Sequence, residues 1–211
     1  MKLIMIHQFL PIHINLRKEY KYMRPKNVEI EIQAKIKKPK EVEKKLRRVG
    51  KFVKTRKQVD KYFVLPQRNF FAKDPPIEYL RVRYEKDKNH LNYSYLHFGR
   101  NGWLRKTDEY ETIVEKPEII EEIFKKIDLI PKVIVNKTRK YFDCGNFEVT
   151  LDQVKGLGNF MEVEAKKNFG SVDKTRKACQ EFIDRLNIEY EVKKDMGYPR
   201  MLCQKNKKYE K

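Results

Sequence analysis

Several stretches of this chain set charged residues at every second position. Glu29 and Glu31 alternate with Val28, Ile30 and Ile32, and Arg81 and Arg83 alternate with Leu80, Val82 and Tyr84. Farther along, Arg105, Thr107, Glu109 and Glu111 share one parity, as do Lys137 and Arg139, then Glu148, Thr150 and Asp152. The last such run places Glu162, Glu164 and Lys166 opposite Met161, Val163 and Ala165. Successive side chains of a strand point to opposite faces, so each run gathers its charges on one face. Carboxylates are hard oxygen ligands for Mg²⁺ or Mn²⁺, while Arg and Lys supply donors that match phosphate oxygens. Charged faces that converged on one another would suit a polyanion accompanied by a metal. The same faces turned to water would be an ordinary solvated exterior. Alternation alone leaves both arrangements open.

The elements that must position these residues can be read in outline. Strands are predicted at 28–36, 58–65, 78–86, 91–98, 105–115, 132–143, 146–155 and 159–167, with turn signals at Gly99-Arg100-Asn101-Gly102, Cys144-Gly145-Asn146 and Gly156-Leu157-Gly158. Helices are predicted at 39–49 and 117–129, each opening on proline, and at 171–187, with a short one after Tyr198. The class is α+β. Helices with apolar stripes need apolar sheet surface, so the apolar strand faces are expected beneath them, leaving the charged faces for a lumen or an open sheet.

The 211 residues carry 49 Lys and Arg against 30 Asp and Glu, a formal charge of +19. The excess is concentrated at the ends: +5 in residues 1–27, +5 in 193–211 and +9 in the 165 residues between. With 8 Gly, 9 Pro and 12% aromatics, collagen-like and low-complexity classes are excluded. Residues 1–26 read as a flexible extension, because His7, Gln8, Pro11 and His13 interrupt the apolar start; Met23 is a second candidate translation start. The compact domain is expected over 27–204, with a basic tail at 205–211. Cys144, Cys179 and Cys203 form no CxxC pair, which fits thiols in a reducing cytosol and a cytoplasmic protein. His97 is expected at the surface, and Trp103, just after a turn, as a cap on the sheet rather than a nucleotide stacker.

Beyond these patterns, Glu29-Ile30-Glu31-Ile32-Gln33 resembles the N-terminal ExExK signature of the CYTH superfamily, which includes class IV adenylyl cyclases, thiamine triphosphatases and other triphosphate tunnel metalloenzymes. The likeness continues in order. Gln58-Val59-Asp60-Lys61-Tyr62-Phe63 is similar to a QxDxYF segment, Leu80-Arg81-Val82-Arg83 to an LRVR strand, and Glu109 and Glu111 fall at a paired-acid strand. Arg139, Leu151-Asp152 and Leu157-Gly158-Asn159-Phe160-Met161-Glu162-Val163-Glu164 resemble the LD…LGxFxEIE tail, and Gly197-Tyr198 with Leu202 the SYxxLL helix of the class IV cyclase branch. Any single piece is weak, but the collinear set over 28–203 is specific.

The resemblance implies a closed antiparallel eight-stranded β-barrel, a triphosphate tunnel, with helices packed outside. It implies a cofactor, Mg²⁺ or Mn²⁺, held by Glu29, Glu31, Glu162 and Glu164 with Asp152. Substrate phosphates would be held by Arg81, Arg83, Lys137 and Arg139, and Glu109, Glu111 and Lys35 are the catalytic candidates. The activity implied is conversion of ATP to cyclic AMP and pyrophosphate, with inorganic or thiamine triphosphate hydrolysis as the alternative. Two positions depart from the pattern. Gln33 replaces the signature lysine, with Lys35, about 6–7 Å along the strand, as its stand-in. The lysine of a later LTYKGP-like strand falls on Gly99, with His97 or Arg100 nearby. These departures favour a further alternative, a non-catalytic nucleotide or polyphosphate binder. The expected partner is a nucleoside triphosphate or another triphosphate, with no membrane, and a homodimer is compatible with the sequence. Nucleic acid ranks last, because acids interleaved with bases on the same faces repel a phosphate backbone.

Overall fold

A computed structural model describes residues 27–192 and 197–207. The strands are β1 (Asn27–Glu29), β2 (Glu31–Ile36), β3 (Lys51–Val64), β4 (Glu78–Tyr84), β5 (Asn89–Phe98), β6 (Leu104–Val114), β7 (Ile130–Cys144), β8 (Phe147–Val154), β9 (Gly158–Ala165) and β10 (Tyr190–Val192). The helices are α1 (Pro39–Val49), α2 (Pro117–Lys126), α3 (Val172–Arg185) and α4 (Tyr198–Lys207). Proline opens α1 and α2, where its missing N–H costs nothing, and Ser171 caps α3 by accepting from the Lys174 amide at 3.1 Å. Gly50 ends α1 so close to β7 that a Cβ would stand 2.7 Å from the Asp143 carbonyl.

All ten strands form one antiparallel sheet in the order β1-β6-β5-β4-β3-β7-β8-β9-β2-β10. The sheet curls into an open half-barrel rather than the closed eight-stranded barrel expected. Its ladder ends at β1 and β10. The reason lies at Ile30, between β1 and β2: residues 27–29 pair with β6, Glu29 opposite Thr107, whereas residues 31–35 pair with β9, Glu31 opposite Glu164. One short segment thus turns from one margin of the sheet to the other. β3 begins at Lys51 rather than 58, because residues 51–57 pair with the long β7 despite their largely charged sequence. β10, a three-residue strand beside β2, has no signal in the sequence.

The apolar strand faces lie under the helices, as the stripes require. Val42 and Leu46 of α1 and Cys179, Phe182 and Ile183 of α3 pack with Ile32, Phe142, Val149, Met161 and Val163 in the largest cluster. Ile120 and Phe124 of α2 cover Phe63 and Val82. A third cluster joins Tyr198 and Met201 of α4 to Tyr62, Tyr79, Leu96, Val154 and Phe160 and shuts one end of the half-barrel. α4 continues through Lys207, so residues 205–207 of the expected tail are helical. The expected extension at 1–26, with Met23, and residues 208–211 lie outside the described residues. Among the described residues no helix is long and apolar enough to cross a membrane.

Candidate active site

With the apolar faces covered, the charged faces turn inward and line a tunnel of about 290 Å³. Glu29, Glu31, Arg81, Arg83, Glu109, Glu111, Lys137, Arg139, Glu162 and Glu164 all line it. Lys35 does not. It sits exposed at the end of β2, its ammonium 5.9 Å from the centre of the Phe160 ring that helps close the tunnel. Arg105 also departs from its expected face. A register shift after His97 turns Leu104 into the tunnel and sends Arg105 outward to Asp173, 3.0 Å away. His97 pairs with Asp108 at 2.6 Å, away from the tunnel.

One wall is cationic, with two buried carboxylates offsetting part of its charge. Asp60, fully buried on β3, accepts from Arg83 Nε at 2.6 Å and Nη2 at 2.9 Å, and lies 3.7 Å from both Arg81 Nη1 and Lys137 Nζ. Burial alone would raise the Asp60 pKa, but Arg83, Lys137 and Arg81 overcome it and hold the carboxyl far below the ordinary carboxylate range. Asp152 plays the same part on β8. Its Oδ1 accepts from Arg139 Nε at 2.7 Å and its Oδ2 from Tyr198 Oη at 2.8 Å, with Arg139 Nη2 also bonded to it. Asp152 is therefore engaged behind the cations rather than presented to the lumen. Burial and the neighbouring Arg139 lower the Lys137 pKa to about 8. Arg81 lies 3.9 Å from Glu111 and donates to Tyr62, while its buried Nε has no hydrogen-bond partner.

The facing wall is acidic and unbalanced. Glu29 is pushed up to about 10 by burial and then by Glu109, Glu164 and Glu31. Glu31 is raised well above its usual value by burial and by Glu162 and Glu164. Glu164 is raised to about 7 by burial and by Glu148, Glu109 and Glu162. Glu109 accepts from Asn92 at 3.0 Å and Ser94 at 3.0 Å. Glu162 joins the two walls, accepting from Arg139, from Gln33 Nε2 at 2.9 Å and from Thr150 at 3.4 Å. The Gln33 carbonyl oxygen is left buried without a donor.

These residues fit a divalent cation in donor chemistry. Crowded carboxylates that repel one another, together with an orphaned amide oxygen, form a hard-oxygen set short of positive charge. Among the described residues no three Asp, Glu, His or Cys side chains form a ready-made metal cage. Mg²⁺ does not require one, since it is commonly held by one or two carboxylates with water and substrate phosphates completing its shell.

Asp60, read from the sequence only as part of the QxDxYF likeness, is the centre of the cationic wall; its shared parity with Gln58 and Tyr62 was the available signal. Sequence reasoning also passed over Arg176 of α3, which reaches back to the Glu31 carbonyl at 3.2 Å.

A charge-sorted tunnel inside a curled antiparallel sheet defines the class, and comparison with known proteins agrees. The CYTH domain family profile matches residues 27–196, and the chain belongs to that family. The Methanocaldococcus jannaschii protein "Putative adenylate cyclase MJ0240" is 31% identical over 163 residues, 76% of this chain and 90% of the relative. Among solved structures, the PH1819 protein of Pyrococcus horikoshii OT3 superposes with a TM-score of 0.71 at 23% identity, covering 84% of this chain and 99% of its own. The Hippeastrum protein HpAC1, described as a "putative adenylyl cyclase" with dominant triphosphatase activity, superposes with a TM-score of 0.57 at 16% identity, covering 78% and 90%. At these identities the two structures speak for the fold alone.

Proposed function

We propose that this chain binds a triphosphate with Mg²⁺ or Mn²⁺ in the tunnel and acts on it as a class IV adenylyl cyclase does, converting ATP to cyclic AMP and pyrophosphate. The observation that carries this reading is the opposition of two walls in one small cavity: Arg81, Lys137 and Arg139 across from Glu29, Glu31, Glu109 and Glu164. On this reading the three cations hold phosphate oxygens, with Arg83 fixing the wall through Asp60. Glu29, Glu31, Glu162 and Glu164 hold the metal. When bound, the metal neutralises charge on the phosphoryl oxygens.

The remaining chemistry belongs to the protein. The guanidinium groups align the phosphate chain for in-line displacement. Glu109, fixed by Asn92 and Ser94, or Glu111 beside Arg81, accepts the proton of the ribose 3′-hydroxyl. Its oxygen then bonds to the α-phosphorus as the bond to the pyrophosphate oxygen breaks. A second reading, hydrolysis of a triphosphate with water as nucleophile, draws support from the size of the tunnel. Its volume of about 290 Å³ lies at the small end of ligand pockets, room for phosphates before any organic group. Binding without turnover draws on Gln33, which leaves the acidic wall one cation short.

The deciding experiment screens ATP, tripolyphosphate and thiamine triphosphate with and without Mg²⁺ and Mn²⁺, resolving the products. Cyclic nucleotide with pyrophosphate selects the cyclase, orthophosphate the hydrolase, and binding without product the sensor. Glu29→Ala and Glu162→Ala should each abolish the metal-dependent signal in a folded chain. Failure of all three compounds to bind or react in a metal-dependent way would overturn the reading.

A further inference from the structure

At Ile30 the chain leaves β6 for β9, opening a gap in the ladder between the start of β6 and β2. Outside that gap lies a second cleft, of about 650 Å³, bounded by the β5–β6 turn, α3 and β10. Arg176 and Val192 line both the tunnel and the cleft, so the two spaces adjoin there. The adjoining residues sort by the bulge in β6: Leu104 faces the tunnel, and Trp103 and Arg105 face the cleft. Trp103 lies under the Arg176 guanidinium, 5.6 Å from its ring centre, and Ile32 and Val192 add apolar wall.

The other ways out of the tunnel offer less to an organic group. The α4 end is shut by Tyr198, Tyr62, Tyr79 and Phe160. The opposite margin is acidic, with Glu111, Glu148 and Glu164. Among the described residues, the side cleft alone combines an indole, aliphatic walls and a guanidinium at the point where a phosphate chain would emerge. An indole and a guanidinium plane are the surfaces on which nucleobases stack.

Building on the triphosphate reading above, we propose that this cleft is the base subsite. The phosphates of a nucleoside triphosphate lie in the tunnel, its sugar passes the gap at Arg176, and its planar heterocycle packs against Trp103. This makes a nucleoside triphosphate, rather than an inorganic one, the preferred substrate class.

Trp103 is the single tryptophan of the chain, so its fluorescence reports on the cleft directly. In the presence of Mg²⁺, ATP should quench or shift Trp103 emission, whereas tripolyphosphate, bound in the tunnel with similar occupancy by calorimetry, should leave it nearly unchanged. By calorimetry, Trp103→Ala should weaken ATP binding on the order of tenfold and tripolyphosphate binding less than about twofold, from the usual worth of a base–aromatic stack. Trp103→Phe, which keeps a stacking face and guards against misfolding, should retain most ATP affinity. Equal fluorescence responses to both ligands, or equal losses of both affinities in Trp103→Ala, would overturn the subsite while leaving the tunnel reading intact. Absence of binding by either ligand would remove the tunnel reading and the subsite with it.

Discussion

Arg83 grips Asp60 with both arms of its fork, Nε to Oδ1 at 2.6 Å and Nη2 to Oδ2 at 2.9 Å, at a site closed to solvent. The pair anchors a cationic wall that would otherwise repel itself. Asp60→Asn leaves Arg83, Arg81 and Lys137 buried without their shared counter-ion, a loss of about 3–5 kcal/mol by analogy with broken buried ion pairs. Denaturant unfolding should show the loss, and tripolyphosphate should restore part of it by supplying negative charge. The pH dependence follows from the depressed Asp60 pKa. Its stabilisation is complete above the unfolded carboxylate value, about 3.9, and fades as pH falls below that toward the folded value. An unchanged unfolding midpoint for Asp60→Asn would contradict this account.

The acidic wall has the opposite sign. Glu164 and Glu29 are raised to about 7 and about 10, so the folded chain holds protons that the unfolded chain releases above about 4.3. Metal-free stability should therefore decline as pH climbs from about 4.5 through 7 toward 10. Mg²⁺ or Mn²⁺ should oppose that decline, with a Tm gain that grows with pH. Glu29→Gln should raise the metal-free Tm at pH 8 by a few degrees and cancel most of the metal-induced gain. A metal response independent of pH, or one that survives Glu29→Gln in full, would argue against carboxylate ligation.

What the sequence made legible was sidedness. Period-two alternation identified the charged faces, the proline starts placed α1 and α2, and the need to cover apolar faces left the charges for a lumen or an open sheet, between which only the family resemblance chose. Closure was not legible, because it depends on pairing partners rather than on any one strand. Nothing local to residues 28–36 announces that Glu29 pairs with β6 and Glu31 with β9. Nor does residue 105 reveal that a register shift against β5 turns it outward. Lys35 has the right parity for the lumen, yet its strand outlasts the tunnel.

That last point is testable. With its ammonium above Phe160 and open to solvent, Lys35 cannot replace the charge missing at Gln33, so Lys35→Ala should leave metal-dependent turnover within about twofold, the effect of an exposed charge. Gln33→Lys places an ammonium beside Glu162 and should raise turnover or triphosphate affinity severalfold, since charge-assisted bonds to phosphate are the stronger kind. A large loss in Lys35→Ala would restore the stand-in role to Lys35.

Tyr198 links the end of the tunnel to its cations by donating to Asp152 at 2.8 Å, behind Arg139. Tyr198→Phe keeps the ring against Phe160 but leaves a buried carboxylate one donor short, at a cost of about 1–3 kcal/mol. Because Asp152 orients Arg139, KM for the triphosphate should rise more than kcat falls. A fall in kcat alone, at unchanged KM, would place Tyr198 in the chemistry instead.

The segment that crosses at Ile30 also sets when the protein can work. Its partners lie roughly eighty residues away on β6 and roughly one hundred and thirty away on β9, so loop-closure entropy disfavours these contacts early in folding. Glu29 and Glu31 ride on that segment. During synthesis Arg81 and Arg83 of β4 and Lys137 and Arg139 of β7 all precede β9, the strand that receives Glu31. Until that late docking Glu162 and Glu164 are missing from the acidic wall, and a half-made molecule has only part of the set proposed to hold the metal.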